Sequence, residues 1–381
     1  MDATGGAGAA GMSESTNFGS GVVELTEFGL LRVQGVDAAT FLQAQLTNDV
    51  AGLQDGEVRL AGYCSVKGRL MASFWLWRES AADAFWLACS RDIAAPIARR
   101  LGMFVLRAKV RVEDVSDAVG LLGILAVADD AGAPAIQADA RSLPAVLVSA
   151  RLAAAIEPAQ LETAADIRIA RALLPVPVAA REERLQAMHG AGTRVLPMAA
   201  WRRLEVLSGI ARIEAANQEL FVPQMVNFEL VEGVNFRKGC YPGQEVVARS
   251  QYLGKLKRRA FLGLGVGEAP LSGTDVFAPA AGSGEPVGQV VLAAPLADGG
   301  RFVVFFESTV GAVPAVDQGG EPAALGAPLT TAPDGQAAPP AAAEPAIRID
   351  ASPITRLPLP YPLPPPTAPA APARRVPDAT A

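Results

Sequence analysis

Between residues 21 and 115 the hydrophobic pattern changes period from two to 3.6 and back, in an order that a parallel sheet does not produce. Val22, Val23 and Leu25, then Leu30, Leu31 and Val33, read as two short strands broken by Glu27 to Gly29. Gly35-Val36-Asp37 turns the chain into a helix carrying Phe41, Leu42 and Leu46, with Asp37 as the expected N-cap. Strand-like runs at 58–64, 70–78 and 85–89 follow, the last two spaced as hairpin partners. Ile93, Ile97 and Leu101 predict a helix over 92–101, and a β segment returns over 106–115. Strands, helix, hairpin, helix, strand is the order of an α+β sheet, and nowhere does G-x-G-x-x-G follow a strand and open a helix.

The rest of the chain divides by composition. Residues 118–195, rich in Ala and Leu, predict a second small α/β unit and a connector, where His189 sits in a glycine-rich loop with no assigned role. Runs at 260–265, 275–278, 287–293 and 302–306 predict a small antiparallel barrel or sandwich. Residues 313–345 have linker composition, after which 346–349 and 354–361 regain β character and can complete the barrel. Residues 1–18 and 362–381 carry too little apolar surface to offset the entropy of ordering, so both are predicted to be disordered.

The inventory of reactive side chains excludes much chemistry. Cys64, Cys89 and Cys240 are scattered and odd in number, which fits neither a disulfide framework nor C-x-x-C metal ligation, and with one histidine a Ser/His/Asp triad is poorly supplied. No metal site is expected. A net charge of −6 argues against global wrapping of nucleic acid, and no apolar run reaches the roughly 18 residues of a membrane span. The N-terminus lacks a basic segment followed by an apolar one, so the expected location is the cytoplasm.

Chemistry concentrates in 217–259. Within Lys238-Gly239-Cys240-Tyr241-Pro242-Gly243-Gln244-Glu245, Pro242 and Gly243 suit the central positions of a type II turn, and a helix starts after them. Cys240 then precedes a helix N-terminus and stands two residues from Lys238, both of which favour thiolate; a buried cysteine padding the turn fits the same residues. Arg237, Lys238, Arg249, Lys255, Lys257, Arg258 and Arg259 gather against the single acid Glu245, as either a solvated surface or a cradle for a polycarboxylate tail or RNA phosphates. Phe28 and Trp201 offer flat faces to a heterocycle, although Trp201 with Leu204 and Leu207 also reads as the core stripe of a helix. Asp37, Asn48, Gln218, Gln224 and Asn227 could supply hydrogen-bonding edges, and capping or turn formation explains several of them equally well.

The octapeptide resembles the signature of the YgfZ-type folate-binding proteins, which include iron–sulfur assembly factors. Its flanks are similar too: Phe221-Val222-Pro223-Gln224 with Asn227 before it, Val247-Ala248-Arg249 with Gly254-Lys255 after it. Gly35-Val36-Asp37 through Leu46, Lys67-Gly68-Arg69 and Trp201 through Ile213 extend the likeness over about 22–310, and to 346–361. That family is similar in fold to the T-protein of glycine cleavage. The resemblance implies an α+β, three-lobed fold, with two ferredoxin-like lobes and a C-terminal antiparallel barrel around a central folate channel. It also implies a discontinuous first lobe of 19–116 and 196–254, a second of 117–195, and a barrel of 255–312 and 346–361.

By the same resemblance, Phe28 and Trp201 line a pocket for tetrahydrofolate or a derivative. Asp37, Gln224, Asn227, Tyr241, Gln244 and Glu245 are further cofactor-binding candidates, while Arg249 and Arg259, with Lys238, steer the glutamyl tail. Cys240 and Lys238 are the expected reactive pair. The implied function is that of an accessory protein supporting assembly or repair of iron–sulfur enzymes, with an indirect effect on tRNA modification. The implied partners are folate and iron–sulfur enzymes or assembly proteins, and the basic segment itself leaves contact with RNA as a further candidate. The alternative is a folate-dependent aminomethyl or other one-carbon transferase.

Overall fold

The computed structural model describes residues 18–79, 83–128, 130, 133–136, 139–149, 152–153, 156, 166–252, 256–278, 284–313 and 347–364. The expected leader and the linker at 313–345 lie outside these almost entirely, as does most of the expected tail. The first half runs β1 (Gly21–Glu24), β2 (Phe28–Gln34), α1 (Ala38–Gln43), β3 (Val58–Cys64), β4 (Leu70–Glu79), β5 (Ala84–Ser90), α2 (Arg91–Gly102), β6 (Arg111–Asp114), β7 (Val119–Val127) and β8 (Arg141–Val148). Then come β9 (Ile167–Pro177), α3 (Arg181–Gly190), β10 (Val195–Leu196), α4 (Met198–Leu207) and α5 (Gln244–Tyr252). The C-terminal strands are β11 (Arg258–Val266), β12 (Asp275–Phe277), β13 (Gly288–Pro295), β14 (Arg301–Thr309), β15 (Arg348–Ile349), β16 (Ser352–Pro353) and β17 (Thr355–Leu357).

These strands form three sheets. The order β3-β4-β5-β2-β6 makes the first, antiparallel throughout. Because side chains alternate faces along a strand, β4 sends Phe74 and Leu76 to one side and Trp75 and Trp77 to the other. The former pack with Leu31, Val33, Ile93 and Ile97 under the helices, whereas the latter face the centre of the molecule. The second sheet, β10-β1-β7-β9-β8, takes in the opening strand Gly21–Glu24, which pairs with β7 and not with its chain neighbour β2. The third, β16-β15-β12-β13-β14-β11-β17, is an antiparallel, nearly closed barrel, in which the end of β11 reaches the edge strand β16 where Val266 N donates to Ser352 Oγ at 3.0 Å. Two local expectations change. The segment 106–115 is strand only over Arg111–Asp114, since Leu106 takes a left-handed φ of 44°, and His189 lies in the last turn of α3, not in a loop.

Helix α4 fills the centre. Its Trp201 is fully buried, and one continuous core joins it to Leu121 and Leu173 of the second sheet, Trp75 of the first, and Leu292 and Phe305 of the barrel. Gly123 makes room for the indole, because a Cβ there would stand 2.5 Å from the ring. Polar ties reinforce this junction. Arg202 donates from Nε to Ala293 O of the barrel (2.7 Å) and pairs with Glu27 and with Glu214 (2.8 Å), whose carboxylate also accepts from Ser272 Oγ.

Candidate functional site

A narrow cleft opens where the first sheet meets the end of α4, lined by Phe28, Ser73, Trp75, Cys89, Arg171, Glu205 and the stretch 208–212 apart from Gly209. Its interior is about 20 Å³, close to the room one water needs, and only the solvent at its mouth brings the space to about 330 Å³. Its apolar wall is Phe28, set edge-on against Trp201 with ring centroids 6.4 Å apart. The Arg212 guanidinium lies over the Phe28 ring at 4.9 Å, within the roughly 6 Å over which a cation is attracted to an aromatic face.

Glu205 is the unusual residue here. It is buried, burial holds its carboxyl above the ordinary carboxylate range, and the guanidinium groups of Arg212, Arg202 and Arg171 pull it only partway back. Its Oε2 lies 3.3 Å from Arg212 Nε, without hydrogen-bond geometry, and has no hydrogen-bond partner among the described residues. Arg171, pulled down to about 10 by burial, stands over the Trp201 ring at 5.8 Å. A buried acceptor left open at the wall of a cleft costs on the order of 1–3 kcal/mol unless something donates to it.

The candidates named from sequence fall into three groups. Phe28 lines the cleft, and Trp201 stands behind it as core, so its indole supports the wall and is closed to a ligand in this conformation. Gln224, Asn227 and Arg259 meet in a second, buried cluster under the barrel. Arg259 Nη1 reaches Gln224 O (3.0 Å), Asn227 Oδ1 (3.4 Å) and Glu229 Oε1 (2.5 Å), while Gln224 Nε2 donates to Val247 O (2.9 Å). Asp37 occupies the N-cap position of α1 without capping it; its Oδ2 accepts from Lys109 N at 2.7 Å instead.

The octapeptide forms the third group. Gln244 N bonds Tyr241 O at 3.1 Å and Gly243 has a φ of 78°, the type II turn expected, and α5 begins at Gln244. Lys238 Nζ donates to the carbonyls of Gln43 and Leu46 (2.7 Å) at the end of α1, and lies 5.1 Å from the Tyr241 ring centroid. Burial lowers Lys238 to about 8, against the opposing pull of Asp49 and Cys240. Tyr241 is buried with its hydroxyl unpartnered among the described residues, and burial raises it well above the usual phenol. Cys240 is exposed, so its thiol reaches solvent and does not pad the turn. None of the octapeptide lines the cleft. Glu245 and Arg249 form an exposed i,i+4 pair at 3.2 Å. Arg258 is bound to Glu307 and Lys257 is exposed, whereas Lys255 lies outside the described residues. Among the described residues, no cluster of three or more His, Cys, Asp or Glu is placed to hold a metal ion, and no helix is long and apolar enough to cross a membrane.

Sequence reasoning missed Arg171, Glu205 and Arg212. For Glu205 a signal existed: it lies four residues after Trp201, on the same face of α4, so a carboxylate interrupts an otherwise apolar stripe.

Comparison with known proteins places this architecture. Residues 11–126 match the family model described as the GCVT N-terminal domain. The crystal structure of glycine cleavage system aminomethyltransferase T from Bartonella henselae superposes with a TM-score of 0.55 at 16% identity, covering 77% of this chain and 79% of that one. The molecule therefore has the GcvT-like aminomethyltransferase fold. Curated relatives narrow the class. The tRNA-modifying protein YgfZ of Edwardsiella ictaluri is 33% identical over 288 residues, 74% of this chain and 82% of that protein. The protein of the same name from Vibrio vulnificus is 35% identical over 237 residues, 62% and 68% respectively. The chain belongs to the YgfZ family.

Proposed function

We propose that this chain binds a reduced folate in the cleft beside Glu205 and serves as an accessory protein for iron–sulfur enzymes, including those that modify tRNA. The observation that carries the folate part is the open Oε2 of Glu205, a buried carboxylate oxygen beside an aromatic wall. A pterin presents adjacent N–H donors on one edge of a flat ring, and these are what such an acceptor lacks. The residues present fit the pterin head in chemistry, with Glu205 to accept from its edge, Phe28 to border the ring and Arg212 to hold the carboxylate, and binding requires the cleft to widen beyond the roughly 20 Å³ of this conformation. Reduced folate supplies one-carbon or two-electron chemistry when bound.

Support for the accessory role is of a different kind. The relatives carry the name tRNA-modifying protein, and the exposed Cys240 with half-buried Lys238 forms a reactive surface apart from the cleft. A thiol outside the cofactor cleft suits action on a partner protein better than action on the folate itself. Calorimetric titration of the full chain with tetrahydrofolate tests the reading. Saturable binding at one site is expected, and no heat of binding at high micromolar ligand would overturn it.

A further inference from the structure

Helix α4 ends at Leu207, and the next five residues form one wall of the cleft: Ser208, Ile210, Ala211 and Arg212 line it, and Gly209 stands between them. Gly209 has a left-handed φ of 62° and closes the helix through its N–H to Val206 O at 3.0 Å. Its own carbonyl accepts a hydrogen bond of 2.7 Å from the hydroxyl of Tyr361, 152 residues further along. The tyrosine ring lies flush against the glycine, since a Cβ on Gly209 would come within 2.9 Å of it.

That hydroxyl is itself aimed from the other side. Asn227 Nδ2 donates to it at 3.3 Å and to Ala260 O at 2.9 Å. Asn227 is held in the left-handed region at φ 58°, and Arg259 Nη1, anchored on Glu229, reaches its Oδ1. Tyr361 arrives there because β17 pairs with β11, the strand that also carries Arg259 and Ala260. A chain of buried and part-buried polar contacts thus runs from the barrel through Asn227 and Tyr361 to the cleft wall.

We infer that Tyr361 is a positioning residue for the folate site: its hydroxyl fixes the carbonyl of Gly209 and with it the placement of 208–212 beside Glu205. The inference rests on the folate reading above. It assigns Gln224, Asn227 and Arg259 an indirect part in binding, through the course of the wall and without touching the ligand. A purely structural anchor would lower the melting temperature and leave the affinity of the folded protein unchanged.

The test is calorimetric titration of wild type, Tyr361→Phe and Gly209→Ala with tetrahydrofolate, well below each melting temperature. Tyr361→Phe keeps the ring and removes one hydrogen bond, so its Kd is expected to rise about three- to tenfold, the usual worth of such a bond. Gly209→Ala pushes the ring away by an independent route and should weaken binding at least as much. It decides the matter should Tyr361→Phe fail to fold. Equal Kd values for all three proteins would overturn the positioning role and leave the folate reading standing. A wild type that does not bind would overturn both.

Discussion

Burial, more than neighbouring charge, sorts the three thiols. Cys64 is pushed up to about 12 by desolvation and Cys89 further still, so both stay protonated and shielded, whereas Cys240 is exposed. Labelling with a thiol reagent at pH 8 is therefore expected to modify one cysteine in the native protein and three after denaturation, with Cys240→Ala removing the native signal. The Cys64 shift also gives stability an alkaline limit. The folded thiol holds its proton to about pH 12 while the unfolded one loses it near 9. Stability from this group is thus whole below pH 9 and is lost as pH rises from 9 to 12. Cys64→Ser would flatten that part of the stability–pH curve. In cells lacking the native protein, Cys240→Ala is expected to fold normally and fail to restore the activity of an iron–sulfur enzyme; full rescue would remove the thiol from the account. Residue types near Cys240 were legible from sequence because turn and helix start are local. Arg171 was not, since its meeting with Glu205 and Arg212 depends on bringing β9 beside α4, and Glu205 showed only as a carboxylate in the apolar stripe of α4.

At the scale of elements, the octapeptide is held by two turns set back to back. Gly243, at φ 78°, lies against the hairpin turn of 65–69, and a Cβ on it would meet Ser65 O at 2.3 Å and Gly68 N at 2.6 Å. Both strain and collision oppose a side chain there. Gly243→Ala is expected to cost more than about 1 kcal/mol and to loosen the loop, measurable by denaturant melts and by faster proteolysis near Cys240. Lys238 adds the second tie, its ammonium sitting on carbonyls left open at the end of α1. The Pro-Gly pair announced the turn, and the spacing of Ile93, Ile97 and Leu101 announced α2. The strand expected at 106–115 was overextended, because hydrophobic content does not show that Leu106 takes a left-handed conformation. Asp37 was read as a cap by residue type alone, yet its carboxylate finds a closer donor in the loop before β6.

Across the whole molecule, Arg202 ties the turn before β2, the loop after α4 and the barrel to one guanidinium. Removing one member of a buried ionic group leaves the others uncompensated, so Arg202→Ala is expected to destabilise the fold by about 3 kcal/mol. Chemical denaturation would read this directly, with an unchanged midpoint as the contrary result. The α+β lobes and the barrel were legible as classes of element. The entry of the first strand into the second sheet was not, because β1 has the same alternation whichever partner it takes. The cleft forms where the first sheet, Arg171 of β9 and the end of α4 meet, and the central claim is that Glu205 receives a pterin there. The most direct measurement is the tetrahydrofolate Kd of Glu205→Gln against that of wild type, with folding of each confirmed by its melting curve. Loss of the charged acceptor predicts binding at least about tenfold weaker; an unchanged Kd would place the folate elsewhere and contradict the account.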